Sequence, residues 1–335
     1  MRYISINLEK EGFVVGLPIY DEMGRILVNQ GVKLTELTIK RLREKNITEI
    51  SIDDELSKGI DTYDNISQRI KTSSIKHLQN FNLDKALEDA NKIVVELINC
   101  TEVYEYFNTK TFDNYTYEHS IAVSVYSTMI GIACGFNQEE IRKLALAGML
   151  HDIGKKCIDY EILHKPGKLT EEEYVKIKEH PTFGYNMIRD NLDLAATTKV
   201  VILEHHENED GSGYPRQLKS KDIYKFSKIV HIADVYDALI SERPYKKAMS
   251  PKDAIDYIID QTNKMFDEIY VDVFIQIMPS YQRGSVVKLT DGRKAIVVKN
   301  VKGNIHRPIV KILDTKEIIK LYETIDLNIA EKINI

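Results

Sequence analysis

The sequence predicts a mainly α-helical protein, with an all-helical central bundle, a small α/β unit before it and a small β module after it. Three observations lead to this prediction. Helix-start and helix-stop signals recur between residues 76 and 280. Short runs in which apolar and polar residues alternate precede this region, and strand-like runs follow it. A length of 335 residues suits two or three domains. We therefore expect one large helical domain with two small flanking units.

The N-terminal α/β unit is predicted at residues 1–55. The stretch YDEMGRILVNQG indicates short strands. In LTELTIKRLREKN the apolar residues Leu34, Leu37, Ile39 and Leu42 have roughly helical spacing. Polar residues without a pattern follow, so residues 56–100 are predicted to form a linker and a connecting helix.

Two capping boxes mark helix starts in the central domain, which is predicted at residues 101–280. Thr170 and Glu173 form one in TEEEYVKIKEHP, and Asn137 and Glu140 form the other in NQEEIRKLALAGMLHD. Serine, threonine and glycine interrupt the apolar run IAVSVYSTMIGIACGF. We expect this run to be a buried helix and not a membrane span.

The C-terminal β module is predicted at residues 281–335. The runs SVVKLT and RKAIVVKN have strand character, and Asp291-Gly292 between them is the signal of a short hairpin loop. The module contains no catalytic motif. We expect it to serve packing, association or regulation.

Composition limits the function classes. The chain is 43% hydrophobic and 29% charged, with a mean hydropathy of -0.30, as in ordinary soluble proteins. Its net charge of -5 argues against general binding to DNA or to anionic membranes. The first residues lack the apolar stretch of a signal peptide, and the three cysteines have no metal or disulfide spacing. We expect a cytoplasmic location.

Histidines are concentrated in the central domain, where six of the nine fall between residues 119 and 206. Several have acidic or histidine neighbours, as in HD at 151–152 and EHHE at 204–207. Imidazole and carboxylate donors suit Fe, Mn or Zn, and a carboxylate can bridge two ions. Consecutive residues point about 100° apart on a helix, so such neighbours can address adjacent ions. The pattern favours a two-metal site.

An ordered set of motifs carries a family resemblance. It comprises HDIGK (151–155), ILHKPGKLTEEEYVKIKEHPTFGY (162–185), EHHENEDGSGYP (204–215) and IADVYDALISERPYKKAMS (232–250). In this order the set resembles the HD-GYP family of HD-domain metal phosphohydrolases, which is associated with cyclic di-GMP. The resemblance covers roughly residues 100–280 and implies that the helical bundle is an HD-domain catalytic bundle.

The resemblance implies a centre for two divalent ions, with Fe or Mn ranked first and Zn, Ni or Co as alternatives. Some family members carry a glutamate four residues before the first ligand histidine, which helps to hold a third ion. Tyr115 stands at that position here, so we predict two ions. Asp152 would bridge them. The implied ligands are His119, His151, Asp152, His180, His205, His206 and Asp234.

Further roles follow from the same resemblance. Lys155 is expected to act in catalysis with Asp152 and to bind the substrate phosphate. Asp237, one helical turn after Asp234, is expected to orient a ligand histidine. The other substrate-binding residues implied are Gly213, Tyr214, Arg243 and Lys246.

The implied activity is hydrolysis of cyclic di-GMP to linear 5′-pGpG, and a second cut to GMP stays open. The resemblance also implies diguanylate cyclase (GGDEF) domains as partners through the GYP loop, and we expect a homodimer. One alternative is an inactive cyclic di-GMP sensor. Another is a phosphodiesterase for a different cyclic dinucleotide, such as cyclic GMP-AMP.

Overall fold

The computed structural model describes residues 1–6, 12–21, 25–45, 47, 49–60, 66–100, 103, 115–165, 167–241 and 248–333. The helices in these residues are α1 (Glu36–Glu44), α2 (Gln68–Gln79), α3 (Leu83–Ile98), α4 (Tyr115–Ala133), α5 (Gln138–Leu150), α6 (Tyr160–Leu163), α7 (Glu171–Ile177), α8 (His180–Ile188), α9 (Ala196–Glu204), α10 (Lys225–Ile240), α11 (Pro251–Asp260) and α12 (Glu268–Ile277). The strands are β1 (Arg2–Ser5), β2 (Val14–Val15), β3 (Ile19–Tyr20), β4 (Ile26–Val28), β5 (Glu49–Asp53), β6 (Val286–Leu289), β7 (Lys294–Lys299), β8 (Ile309–Ile312), β9 (Ile318–Lys320) and β10 (Ile329–Lys332). The predicted fold class is confirmed.

The chain divides into two compact units. The first contains the described residues of 1–72, 100–115 and 278–335, and the second contains residues 73–99 and the described residues of 116–277. The small units at both ends of the chain therefore belong to one compact body. The domain boundaries given above remain predictions.

The first unit holds both larger sheets. Strand order is β1-β5-β2 in one antiparallel sheet and β10-β6-β7-β8-β9 in the other. The predicted hairpin joins β6 to β7, and Gly292 adopts a φ of 88° at its turn. Ile60, Val286 and Ile296 pack into a shared core cluster, so residues far apart in sequence stabilise this unit.

The predicted N-terminal helix is α1, but its apolar spacing only partly reflects its buried face. Thr35 caps the helix by accepting a hydrogen bond from the Thr38 amide, so Leu34 precedes the helix. Ile39 and Leu42 are buried, whereas Leu37 is 56% exposed. A single apolar residue on a helix surface is common in folded proteins.

The second unit is the helical bundle. Helix α5 packs against α3 and α9, and α8 packs against α9. Both predicted capping boxes are confirmed, at Asn137 with Glu140 and at Thr170 with Glu173. Of the helices in the described ranges, none combines the length and the apolar character needed to cross a bilayer. The apolar stem of α4 is buried in this bundle.

Candidate metal centre

The histidines and aspartates of the motifs come from five places in the bundle. His119 lies near the start of α4, His151 is the C-cap residue of α5, and His180 begins α8. His205 is the C-cap residue of α9, with His206 directly after it. Asp152 follows α5, and Asp234 lies within α10. Their side chains lie in one cluster, and each except His206 has less than a tenth of its surface exposed.

Six of these residues form two groups of potential ligands. His119, His151 and Asp152 form the first group, and His180, His205 and His206 form the second. Within each group the donor atoms lie within 4.8 Å of one another. Each group therefore offers three donors for one ion.

Two carboxylates lie close to both groups, and one of them is Asp152 of the first group. The Oδ2 atom of Asp152 is 3.3 Å from His151 Nε2, and its Oδ1 atom is 3.2 Å from His180 Nε2. Asp234 has the same arrangement, with Oδ1 3.0 Å from His119 Nε2 and Oδ2 3.7 Å from His206 Nδ1. Both aspartates thus present one oxygen to each group.

The sequence predicted that neighbouring side chains can address adjacent ions, and this stays a prediction. His205 and His206 belong to the same group, as do His151 and Asp152. The second oxygen of Asp152 nevertheless faces His180 in the other group.

Hydrogen bonds to the backbone orient three of the histidines. The Nδ1 atoms of His151, His180 and His205 lie 2.8, 2.7 and 2.9 Å from the carbonyl oxygens of Gly148, Ile177 and Ile202. A carbonyl oxygen only accepts, so each Nδ1 carries the proton and donates. In the neutral ring the lone pair is then on Nε2, which faces the cluster.

The resulting arrangement fits a divalent cation. The Nε2 atoms of His180 and His205 lie 3.2 Å apart, and in neutral rings with protonated Nδ1 atoms both carry lone pairs. Two nitrogens bound at right angles to one ion at about 2.1 Å lie about 3.0 Å apart. Among the described residues, the buried His151 Nε2 and Asp152 Oδ1 atoms also have no hydrogen-bond partner. A cation would satisfy these atoms.

The electrostatics of the cluster favour neutral rings at His205 and His206 and ionised carboxylates, whereas Asp152 and Asp234 outweigh burial at His151 and raise its pKa. Burial holds the pKa of His205 and of His206 well below the usual range, and nearby histidines add to this effect. Burial alone would raise the pKa of Asp152, but Lys155 and His151 outweigh it and hold that pKa well below its usual range. The pKa of Asp234 is also held well below its usual range, because His119 and His206 outweigh burial. For His205, His206 and the two aspartates, these are the protonation states that metal ligands need.

Lys155 lies beside the first group. Its Nζ atom is 2.5 Å from Asp152 Oδ2, and the two residues lie three apart, where a 3₁₀ turn over Ile153–Cys157 begins. Side chains three residues apart in such a turn lie on the same face. The ammonium group is therefore held against a carboxylate that lies close to both groups.

The loop after His206 is folded back onto it. Tyr214 stacks on the His206 ring with centroids 4.7 Å apart, and its amide donates to the His206 carbonyl over 3.1 Å. At Gly213 an added Cβ would lie 2.3 Å from Asn208 N and 2.5 Å from Glu207 Cα. Only glycine fits this close approach, so Gly213 allows Tyr214 to reach the cluster.

Two buried glutamates, which the sequence analysis missed, hold this loop. The Glu207 carboxylate accepts hydrogen bonds from the amides of Arg216 and Leu218 at 2.7 and 2.9 Å. Glu204 accepts from the Arg216 guanidinium at 3.0 Å and from the Tyr224 amide at 3.1 Å. Their adjacency to the histidine pair in EHHE was the available signal. The two glutamates flank the histidine pair, so these hydrogen bonds connect the pair to residues 216–224.

Gly154 is a third residue that the sequence analysis missed, although it lies within HDIGK. An added Cβ there would lie 2.0 Å from the His180 carbonyl oxygen and 2.4 Å from the Gly184 amide nitrogen. The 3₁₀ turn after Asp152 therefore packs directly against the backbone of α8. This contact holds Asp152 next to His180.

Asp237 contacts the first group through a histidine. Its Oδ2 atom lies 2.6 Å from His119 Nδ1, and its backbone carbonyl accepts a hydrogen bond from the Ser241 hydroxyl at 2.6 Å. This carboxylate accepts the Nδ1 proton, which directs His119 Nε2 towards Asp152 and Asp234.

We expect Asp237→Asn to lower manganese affinity about 10- to 100-fold, because the charged acceptor that orients His119 is lost. A metal titration of the purified variant measures this change. Asp260→Asn is the matched control, since Asp260 is exposed at the end of α11. Equal manganese affinity in the two variants would contradict the orienting role.

Three predicted positions lie outside what the structure describes. Arg243 and Lys246 fall within residues 242–247, and only the backbone of Tyr115 is described. Their expected roles stay predictions.

Comparisons with known proteins identify the family of this chain. The protein-family model described as HD domain matches residues 101–269, which are 169 of the 335 residues. The chain belongs to the HD-domain family. This confirms the family that the ordered motifs indicated.

Curated relatives extend the comparison. A cyclic di-GMP phosphodiesterase of Pseudomonas aeruginosa is 36% identical over 203 residues, covering 61% of this chain and 49% of that protein. One from Thermotoga maritima is 35% identical over 185 residues, covering 55% and 48%. A 3′3′-cGAMP-specific phosphodiesterase of Vibrio cholerae is 36% identical over 178 residues, covering 52% and 40%. The chain spans no more than half the length of these relatives.

A solved structure shares the fold. It is a Bdellovibrio bacteriovorus protein described as an HDG"Y"P protein, with a TM-score of 0.50 and 18% identity. The alignment covers 81% of this chain and 98% of that chain. At this identity the likeness supports the fold alone.

Proposed function

We propose that this protein hydrolyses a phosphodiester bond of cyclic di-GMP and releases linear 5′-pGpG. The observation that carries the proposal is the cluster of seven side chains in which Asp152 and Asp234 lie between two groups of histidines. The names of the relatives from Pseudomonas aeruginosa and Thermotoga maritima support the substrate.

The seven residues would hold two divalent ions, with Asp152 as the bridge. Imidazole nitrogen with carboxylate oxygen suits Fe or Mn, and Zn, Ni and Co are the alternatives. Ions bound here would neutralise charge on the phosphate and activate a water molecule.

Lys155 would donate a hydrogen bond to a phosphate oxygen as negative charge develops there. Its ammonium already lies 2.5 Å from Asp152 Oδ2, so it is positioned at the reacting centre without a rearrangement. Tyr214 covers one face of His206. Burial raises the pKa of Tyr214, so its hydroxyl stays protonated and able to donate. Arg243 and Lys246 are proposed to bind guanine or phosphate.

A second candidate substrate is 3′3′-cyclic GMP-AMP, because a Vibrio cholerae relative that is 36% identical to this chain is specific for it. The two substrates differ in one base, so contacts with the bases decide between them. The inactive sensor is disfavoured, because all seven ligand positions carry donors and converge. Diguanylate cyclase (GGDEF) domains as partners through the GYP loop, a homodimer and a cytoplasmic location belong to the same proposal, as they accord with an intracellular second messenger.

The test incubates anaerobically purified, manganese-loaded protein with cyclic di-GMP and, separately, with 3′3′-cyclic GMP-AMP, and separates the products by chromatography. We expect 5′-pGpG to form from cyclic di-GMP and product formation to stop after treatment with a chelator. If cyclic GMP-AMP is turned over faster than cyclic di-GMP, cyclic GMP-AMP is the preferred substrate. Intact nucleotides despite bound metal would contradict hydrolysis and favour the sensor.

A further inference from the structure

A lysine outside the predicted site lies at the edge of the cluster. Lys178 is the C-cap residue of α7 and precedes the metal-ligand candidate His180 by two residues. Its Nζ atom is 4.6 Å from the centroid of the Tyr174 ring and 5.2 Å from that of the Tyr214 ring. At these distances both rings attract the ammonium group through their π faces. The two rings therefore hold the lysine in place.

Tyr214 connects this lysine to the histidines. The centroid of its ring lies 5.2 Å from the Lys178 Nζ atom. The same ring stacks on His206, with centroids 4.7 Å apart and an interplanar angle of 27°. His206 in turn belongs to the group with His180 and His205. The Lys178 ammonium thus contacts the same ring that stacks on a proposed metal ligand.

The charge of Lys178 is not balanced by a carboxylate of the described residues. Among the residues that the structure describes, the Lys178 ammonium has no ion pair and no hydrogen bond, whereas other lysines nearby do. Lys165 pairs with Glu173 at 2.7 Å, and Lys155 pairs with Asp152 at 2.5 Å. Lys178 is also partly buried, so water screens its charge only in part. An anion bound here would therefore be attracted more strongly than by a fully exposed lysine.

The proposed substrate provides such an anion. A cyclic dinucleotide has two phosphodiesters, and only one of them is cut at a time. Lys155 lies against Asp152 and can reach the phosphate at the reacting centre. Lys178 contacts the ring of Tyr214, which itself stacks on His206.

We propose that Lys178, held by the Tyr174 and Tyr214 rings, binds the phosphodiester of the cyclic dinucleotide that is not being cut. This inference rests on the proposed function. It assigns a role in substrate binding to Lys178 and a positioning role to Tyr174, whose side chain is 50% exposed at the edge of the site. Lys178 distinguishes a substrate with two phosphates from a simple phosphodiester.

The test uses the full-length, manganese-loaded protein and two probes. Cyclic di-GMP carries two phosphodiesters, and bis(4-nitrophenyl) phosphate carries one. We expect Lys178→Gln to raise KM for cyclic di-GMP about 10- to 100-fold, the usual effect of losing a hydrogen bond between charged groups. The kcat for cyclic di-GMP and the KM for bis(4-nitrophenyl) phosphate should stay unchanged. Lys178→Arg should restore most of the affinity.

Lys176→Gln is the matched control, because Lys176 lies on the same helix and is exposed. An unchanged KM for cyclic di-GMP in Lys178→Gln would overturn the proposal. An equal loss with both probes would also overturn it, since Lys178 would then act on the metal centre itself.

Failure of the proposed function gives a different result. The wild type would then hydrolyse neither cyclic dinucleotide, and equilibrium dialysis with cyclic di-GMP would test Lys178 directly. Weaker binding by Lys178→Gln than by Lys176→Gln would support the role of Lys178. Equal binding, or no binding by the wild type, would overturn it.

Discussion

The Asp152→Asn variant is expected to lose about 1000-fold or more in kcat for cyclic di-GMP, together with most of its bound manganese. Asp152 presents one oxygen to His151 and the other to His180, so both groups of ligands depend on it. An amide has no negative charge, and one of its two ends donates instead of accepting. Metal ions contribute several kcal/mol to stabilising charge in the transition state, which corresponds to about three powers of ten in rate.

Steady-state kinetics and elemental analysis of the same preparations measure this effect. Asp159→Asn is the control, because Asp159 is exposed and its side chain does not cap α6. A cooperative thermal transition of the metal-free variant separates a damaged site from an unfolded protein. Full activity or full metal content in a folded Asp152→Asn would mean that Asp152 does not join the two groups of ligands.

The second large effect is expected at Gly154. Its Cα lies so close to α8 that an added Cβ would be 2.0 Å from the His180 carbonyl oxygen. This neighbour is backbone and cannot rotate away, so Gly154→Ala must push the 3₁₀ turn away from α8. We expect a loss of about 3 kcal/mol in the free energy of unfolding and a Tm about 6–12 °C lower. Manganese affinity should fall as well, because Asp152 moves away from His180.

Gly131→Ala provides the comparison for this prediction. A Cβ at Gly131 would approach the end of the Leu144 side chain at 2.7 Å, and such an atom can shift to another rotamer. Calorimetry of the metal-free proteins should show a clearly smaller decrease in Tm for Gly131→Ala. Equal decreases in Tm, or unchanged metal binding in Gly154→Ala, would contradict the packing argument.

The sequence predicted the candidate site better than it predicted the contacts that support it. The candidate histidine and aspartate ligands could be identified from the sequence, because such polar side chains are unusual next to the apolar runs of a core. The orientation of His151, His180 and His205 was not, since it depends on backbone carbonyls that every residue carries. The role of Gly154 was hidden for a similar reason, because its neighbour in space, Gly184, is thirty residues away in sequence.

Long-range organisation was the other part that local patterns did not reveal. Capping boxes and hairpin signals involve residues a few positions apart, and those predictions were confirmed at Asn137, Thr170 and Gly292. The packing of Ile60 against Val286 joins positions more than two hundred residues apart. Spacing within a short window carries no information about such a contact.

The central claim is that the seven side chains hold two metal ions, and anomalous X-ray diffraction from manganese-loaded crystals tests it most directly. We predict two anomalous peaks, one beside His119 and His151 and the other beside His180, His205 and His206, with Asp152 and Asp234 next to both. A single peak, a third peak in the same site, or manganese bound elsewhere in the protein would contradict the account.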